Sequence, residues 1–550
     1  MKIKLIGMLV IINLLVTSCL NSDFGENNNS NNTSIKDNQD IYKEEDVIVK
    51  ELYITVLPAE TGHDEYGKTF SQLNESSIDD SVDDIKVKII FQEGSNGIIS
   101  STDFGYGLTD YNGIMELRGQ SSRLAEIKSY KIKLNKNSPW NEFLTINLNK
   151  HHFDTLRIRN KLSFDLIKSI PNITSLRTEF IHLYIKDLSE EDYTKEYLDF
   201  GLYTQIEHVD TDFLKNHNLD QNGSLYKVEN FEFYKYEDYL KLKEDAEYNE
   251  KEFEKILEIK GSEDHEKLID MLDDLNNKFI HINDVFDKYF DRENYLTWLA
   301  TNILFDNIDT ASRNYFLYSE SDSDTWYFLP WDYDKGLGGY RSSRAIWQNG
   351  LSNYWGNVLT NRFFRNKDNL EDLNKKIEEI HEIISEEKME NLIDLYKPIA
   401  IEFLRNEAED IGDKFNLDEI NLEFEELQKN IELNKANYYE NLEKPMPVFM
   451  GEPTMLGNNL HFQWTESYDF QGDAFTYSVE ISDAPKFETI LYSKNDIHEK
   501  ELIIDMLPKG TYYWRVFVTD SNENKMDAFD LYIEAESNGY YFGTKKFYVN

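Results

Sequence analysis

The sequence predicts an α+β chain, in which a mixed domain is followed by an all-β sandwich. Three observations carry that expectation. β-Branched runs fill much of residues 47–206, helical spacing of apolar residues dominates 237–443, and seven short strand-like runs recur at about ten-residue intervals after Pro445 and Pro447. At 550 residues, 40% hydrophobic and 14% aromatic, the chain has the material for more than one core.

Residues 1–18 carry two early lysines, an apolar run from Leu5 to Val16 and then small residues, the layout of an export signal. The run is shorter than the roughly 20 apolar residues that a spanning helix requires. The ending "VTSC" resembles the bacterial lipoprotein box, which implies cleavage before Cys19 and a lipid on its sulfur. Cys19 is the only cysteine of the chain, so no disulfide forms within it. Residues 19–45 are rich in Asn, Ser and Asp and read as a flexible stalk, because so few apolar side chains cannot offset the entropy of ordering. The expected location is outside the cell, lipid-anchored to the bacterial envelope.

The mixed domain is expected over 46–443. "VIVKELYITVL" (47–57), "DIKVKIIFQ" (84–92) and the strand–turn–strand pattern of 113–136 open it. "FDTLRIRNKLSFDLIKSI" (153–170) has helical spacing and stops at Pro171, and "EFIHLYIKDL" with "EYLDFGLYTQIE" reads as a hairpin. Glu237 to Asn277, crowded with Glu, Lys and Asp, reads as a solvated amphipathic helix pair. "RENYLTWLATNILF" is a helix, and helical spacing returns from Asn369 to Glu443. Residues 444–550 supply the sandwich. "LPKGTYYWRVFVTD" resembles the fibronectin type III pattern, implying an immunoglobulin/fibronectin-like module that binds or spaces and does no chemistry.

Asp and Glu number 103 against 58 Lys and Arg, a net charge of −45. Such a surface repels a phosphate backbone, so no nucleic-acid partner is expected and a basic protein is favoured.

The chemistry concentrates in "DNIDTASRNYFLYSESDSDTWYFLPWDYDKG" (306–336). Strands are expected at Asn314–Tyr318 and Trp326–Asp332 around a turn centred near Asp322, which sets Asn314 opposite Pro330 and one pair from Asp332. Paired strands lie about 5 Å apart, so an amide oxygen and a carboxylate come within reach of one hard cation such as Mg²⁺, with nucleotide phosphates completing its shell. Asp309 and Asn314 have the D-x-x-x-x-N spacing of the protein-kinase catalytic loop, where the Asp takes the substrate hydroxyl proton and the Asn holds a metal. Asp332 then stands as the second metal carboxylate, supported by Asp334. Taken singly, each is also explained by ordinary turn and cap chemistry.

A phosphate site needs a cation too. In "EIKSYKIKLN", Lys128 alternates onto the face of Tyr130, Ile132 and Leu134 and points inward, whereas Lys131 and Lys133 read as solvated. Such a lysine usually pairs with a carboxylate, and Glu207 is one candidate. His151 and His152 have no third ligand at metal spacing and read as surface residues.

Together "LRGQSSRLAEIKSYKIKLN", "FDTLRIRNKLSFDLI", "GLYTQIEHVDTDFL", "GSLYKVE" and the hairpin stretch resemble the successive motifs of the CotH kinase family, over Leu117 to Arg365. The resemblance implies an atypical, bilobal protein-kinase-like fold that uses ATP and Mg²⁺ to phosphorylate Ser or Thr of secreted or surface proteins. It implies Asp309 as the catalytic-loop Asp, Asn314 and Asp332 as metal ligands with Asp334 in support, and Lys128 as the nucleotide-binding lysine. Arg118 and Asn160 fall in the motifs without an assigned role. The family's Pro-Lys-Lys reads Glu126-Ile127-Lys128 here, and no Walker-type phosphate loop occurs. A second reading stays open: a non-catalytic adhesin on a kinase-like scaffold, touching a matrix or host ligand through its C-terminal domain. A two-carboxylate glycoside hydrolase is a third.

Overall fold

The computed structural model describes residues 34–549 apart from 44–46, 61, 63–65, 77–84, 120, 191–195, 340–343, 410–414 and 535–538. The stretch expected to be an export signal and Cys19 lie outside the described residues. Among those described, no helix is long and apolar enough to cross a membrane.

Seven strands close into a barrel: β1 (Val49–Val56), β2 (Lys86–Gly94), β3 (Gly113–Leu117), β4 (Tyr130–Leu134), β5 (Thr145–Asn149), β6 (Thr178–Asp187) and β7 (Leu198–Ile206). Their order is β1-β2-β3-β4-β5-β7-β6, and the wall is sealed by a parallel pairing of β1 with β6 that sets Val49 opposite Phe180 and Val56 opposite Asp187. Alternation in the sequence decides which side chains go inside. Tyr130, Ile132 and Leu134 of β4 join Ile89, Met115 and Ile146 in the barrel's core, while Lys131 and Lys133 point out. The helix Arg159–Ile167 lies between β5 and β6, shorter than its predicted span and almost wholly buried, its polar residues Arg159, Asn160 and Lys161 included.

A second sheet runs in the order β11-β10-β8-β9, from β8 (Ser224–Val228), β9 (Leu257–Ile259), β10 (Tyr315–Ser319) and β11 (Tyr327–Pro330). The hairpin β10–β11 forms as the sequence predicts, with its register displaced by one: Tyr315, and not Asn314, faces Pro330. The charged segment 237–277 departs from a helix pair. It holds a single turn at Glu250–Phe253, then β9, then the helix Glu266–Asn276. β9 exists because Leu257 and Ile259 pair across to Val228 and Tyr226, a tertiary contact that overrides local preference. Helix Arg292–Phe305 matches its prediction to the residue, with Asp291 capping it through Asn294 N–H and Asp306 turning left-handed at its end. Helices Ile282–Tyr289, Val358–Phe364, Lys367–Ile383, Glu386–Leu404, Leu417–Gln428 and Asn430–Leu442 also belong to this part.

The stalk expectation over 19–45 is corrected at its C-terminal end. Ile35 is buried in the main core, Asp37 accepts from Ser175 N–H at 3.0 Å and pairs with His217 at 2.6 Å, and Ser34 donates to Asp291 at 2.9 Å. One apolar side chain and a few polar anchors suffice to dock residues 34–43.

All seven C-terminal runs are strands, joined by three further ones at Thr454–Leu456, Lys525–Asp527 and Gly539–Phe542. A three-stranded and a five-stranded sheet enclose a core that includes Phe462, Trp514 and Val516. The junction near Pro445 is not a free linker: Met446 and Phe470 belong to the main domain's core, and Trp355 stacks on Tyr468 and meets Phe470 edge-on, both with ring centroids 5.5 Å away.

Candidate functional site

The open end of the β10–β11 hairpin builds the site. Asn314 (φ 60°) and Asp332 (φ 57°) are both left-handed, so the chain leaves the ladder at each of them, in a conformation that Asn and Asp accept more readily than most side chains. Asp309 sits on the 3₁₀ turn Ile308–Ala311, one step before the strand. Three hydrogen bonds fix this geometry. Asn307 Nδ2 donates to the Asp332 carbonyl at 3.2 Å, Thr310 Oγ1 to the Asn307 carbonyl at 2.7 Å, and the N–H of Tyr333 to Asn160 Oδ1 at 3.3 Å. Asn160, which carried no role in the sequence reading, is the post on which the "WDYD" turn rests.

A cavity of about 640 Å³ opens there, between the outer face of the barrel and the β8–β11 sheet. Asp309, Asn314, Asp332 and Asp334 line it together with Arg118, Lys131, Lys227 and Lys260. Eight lysines and arginines against six carboxylates line the whole cavity, so its charge balance is inverted in a chain that is otherwise strongly acidic.

The side chains respond to one another. Burial and the neighbouring Asp334 push the Asp332 carboxyl up to about 7, against the pull of Arg118. Burial alone would raise Asp334 as well, but His151, Lys335 and Arg118 together hold it below the usual carboxylate range. Arg118 is lowered to about 10 by burial, opposed by Asp332 and Asp334. Its Nε donates to Asn149 Oδ1 at 2.6 Å and its guanidinium lies 5.3 Å over the ring of Trp331. His208 falls to about 3 through burial and the surrounding Lys131, Arg118, Lys260 and Lys227, and so stays neutral among four cations. Lys335 Nζ reaches Asp309 at 3.4 Å.

Four residues singled out in the hairpin, Asp309, Asn314, Asp332 and Asp334, therefore share one cavity. Lys128 and Glu207 do not join them. Lys128 Nζ is held by the carbonyls of Arg123 and Ala125, each at 2.7 Å. Glu207 is buried elsewhere, accepting from Arg177 at 2.7 Å and pairing with His217 at 3.1 Å, partners that outweigh its burial and hold its carboxyl down to about 2. The alternation of β4 was read correctly, but its apolar side fills a closed barrel, so the outward register faces the cavity. The lysine there is Lys131, paired with Glu116 at 3.0 Å and lining the cavity where alternation alone predicts a solvated face. His151 is likewise no surface residue: it is buried, with Nδ1 3.9 Å from Asp334 Oδ2. Lys227 and Lys260 carried no signal in the sequence, since their place depends on β8 and β9 pairing.

Among the described residues, no three carboxylates or imidazoles of the cavity converge tightly enough to cage an ion alone. Asn314, Asp332 and Asp334 offer a hard-oxygen set that phosphate or water would complete, and Asp332 is a carboxyl short of positive charge, which a divalent ion relieves.

Two comparisons bear on the chain. Over 233 residues it is 26% identical to the inner spore coat protein H of Bacillus subtilis (strain 168), a match covering 40% of this chain and 58% of that relative, so less than two thirds of the relative's length is spanned. The family model described as CotH kinase protein matches residues 115–438, more than half of the chain. That span runs from β3 into the helix Asn430–Leu442 and takes in every cavity residue discussed above. The chain belongs to the CotH kinase protein family.

Proposed function

We propose that the cavity binds ATP with Mg²⁺ and that the protein transfers the γ-phosphate to Ser or Thr hydroxyls of secreted or surface proteins. The observation that carries this reading is a basic cavity, in a chain of net charge −45, with a carboxylate–amide set in the same wall. A polyphosphate needs both halves: cations for its oxygens and hard ligands for the ion it travels with. In this reading the barrel and the sheet-and-helix part are the two lobes of an atypical kinase, and Arg118, Lys131 and Lys227 take phosphate oxygens. Asn314 and Asp332, with Asp334 in support, would hold Mg²⁺, which when bound neutralises the charge that grows during transfer. Asp309 orients the acceptor hydroxyl and receives its proton, and Lys335 keeps that carboxylate in place.

An N-terminal stretch laid out like an export signal, a lipoprotein-box-like ending at Cys19 and a relative named as a spore coat protein support a surface location. The C-terminal sheets, fibronectin-like in sequence, would space the catalytic part or bind a matrix ligand.

Thermal unfolding with ATP and Mg²⁺, followed by transfer of radiolabelled γ-phosphate, tests the proposal. ATP should raise the unfolding midpoint in a Mg²⁺-dependent way, and Asp332→Ala should cut transfer by about 100-fold or more while the protein stays folded. Transfer at the parent rate in Asp332→Ala, or no ATP shift in the parent, returns the protein to the scaffold reading.

A further inference from the structure

A second group of carboxylates lies where the C-terminal sandwich meets the rest of the molecule. Asp469 and Asp473 sit in the loop before strand Phe475–Ser482, and Asp520 ends strand Gly510–Asp520, brought beside them because Phe475 pairs with Asp520. One oxygen from each of the three lies within 4.8 Å of the others. A Ca²⁺ shell with bonds of about 2.3–2.6 Å is about 5 Å across, so one ion reaches all three.

Proximity of acids alone says little, and a separate feature points to a ligand. Asp469 and Asp520 are each 6% exposed. The Asp520 carboxylate is satisfied by the N–H groups of Asn522 and Asn524 and by Asn524 Nδ2, all at 2.8 Å. Asp469 is not: its Oδ1 accepts from Asp473 N–H at 2.9 Å, while its Oδ2 is buried with no donor. A buried carboxylate oxygen left bare costs heavily unless a cation meets it. Among the described residues, no lysine, arginine or histidine pairs with any of the three.

We propose that Asp469, Asp473 and Asp520 bind a Ca²⁺ ion at this seam. Calcium is favoured over magnesium because it accepts irregular sets of protein oxygens, whereas magnesium keeps most of its waters. Asp469 stands between Tyr468 and Phe470, the two rings packed on Trp355, and Asn524 Nδ2 donates to the Glu443 carbonyl at 2.9 Å. An ion here ties the sandwich's loop, its long strand and the end of the helical part into one piece.

Equilibrium dialysis of the full chain with radiolabelled calcium, paired with thermal unfolding, tests this. The parent and Asp332→Ala should each take up one Ca²⁺, with a Kd of about 10⁻⁴–10⁻³ M and a midpoint raised by about 2–4 °C at saturation. Asp473→Asn, at the partly exposed rim and tolerant of folding, should weaken uptake about tenfold or more, and Asp469→Asn combined with it should remove uptake. Failure of the parent to bind Ca²⁺ overturns the proposal. So does uptake that persists in Asp473→Asn but vanishes in Asp332→Ala, which moves the ion to the cavity.

Discussion

Lys128 and Lys131 are three residues apart, yet the first is tied to two carbonyls and the second lines the cavity. Replacing each by alanine separates them. Lys131→Ala should weaken ATP binding about tenfold or more, the loss of a charged hydrogen bond worth roughly 1.5–3 kcal/mol, whereas Lys128→Ala should change it by less than about twofold, both by titration. The hairpin residues were legible because their spacing is local: Asp309, Asn314 and Asp332 are set by one turn and one pair of strands. The cations were not, because Lys131, Lys227 and Lys260 come together only once the barrel closes and β9 joins its sheet. His217 supplies a prediction in pH. Burial would lower it, but Glu207 and Asp37 raise it to about 9, above its unfolded value near 6.5. Its stabilisation is therefore full below pH ~6.5 and lost as pH rises through ~9, a change of roughly 1–3 kcal/mol. Unfolding measured across that window should show the fall in the parent and a flatter profile in His217→Gln.

At the scale of elements, helix Arg292–Phe305 was read exactly where it lies, since its capping Asp291 and its apolar run are adjacent in sequence. β5 was missed because the alternation of "TINLN" lasts only five residues and brings just Ile146 and Leu148 as apolar side chains, and pairing with β4 on one side and β7 on the other is what holds it. The turn Glu407–Glu409 shows how a distant element is clamped to the barrel. Glu409 accepts from Lys150 at 2.7 Å, from Leu202 N–H at 2.6 Å and from Arg157 at 3.1 Å, all buried. Glu409→Ala leaves two cations without their carboxylate and should cost roughly 3–5 kcal/mol in denaturant unfolding.

For the whole molecule, the sequence marks a boundary at Pro445 and Pro447 that the packing crosses. Met446 and Phe470 complete the main core, and Trp355 receives Tyr468 and Phe470 from the other side. Trp355→Ala should lower stability by roughly 3–5 kcal/mol, and removing residues after Glu443 should uncover this patch and lower the unfolding midpoint of the remainder, both read by calorimetry. Prolines signal where regular structure stops, not whether two cores share side chains across the stop. A cylinder of strands with no first or last member has its own outcome: β1 is sealed to β6 along its length, so no unpaired backbone is offered there to another chain. Growth of fibres by strand exchange would have to begin at a rim such as Ile490–Ile497, which exposes Ile490 and Leu491 but is twice broken in step with its neighbour, a shape that discourages a flat guest.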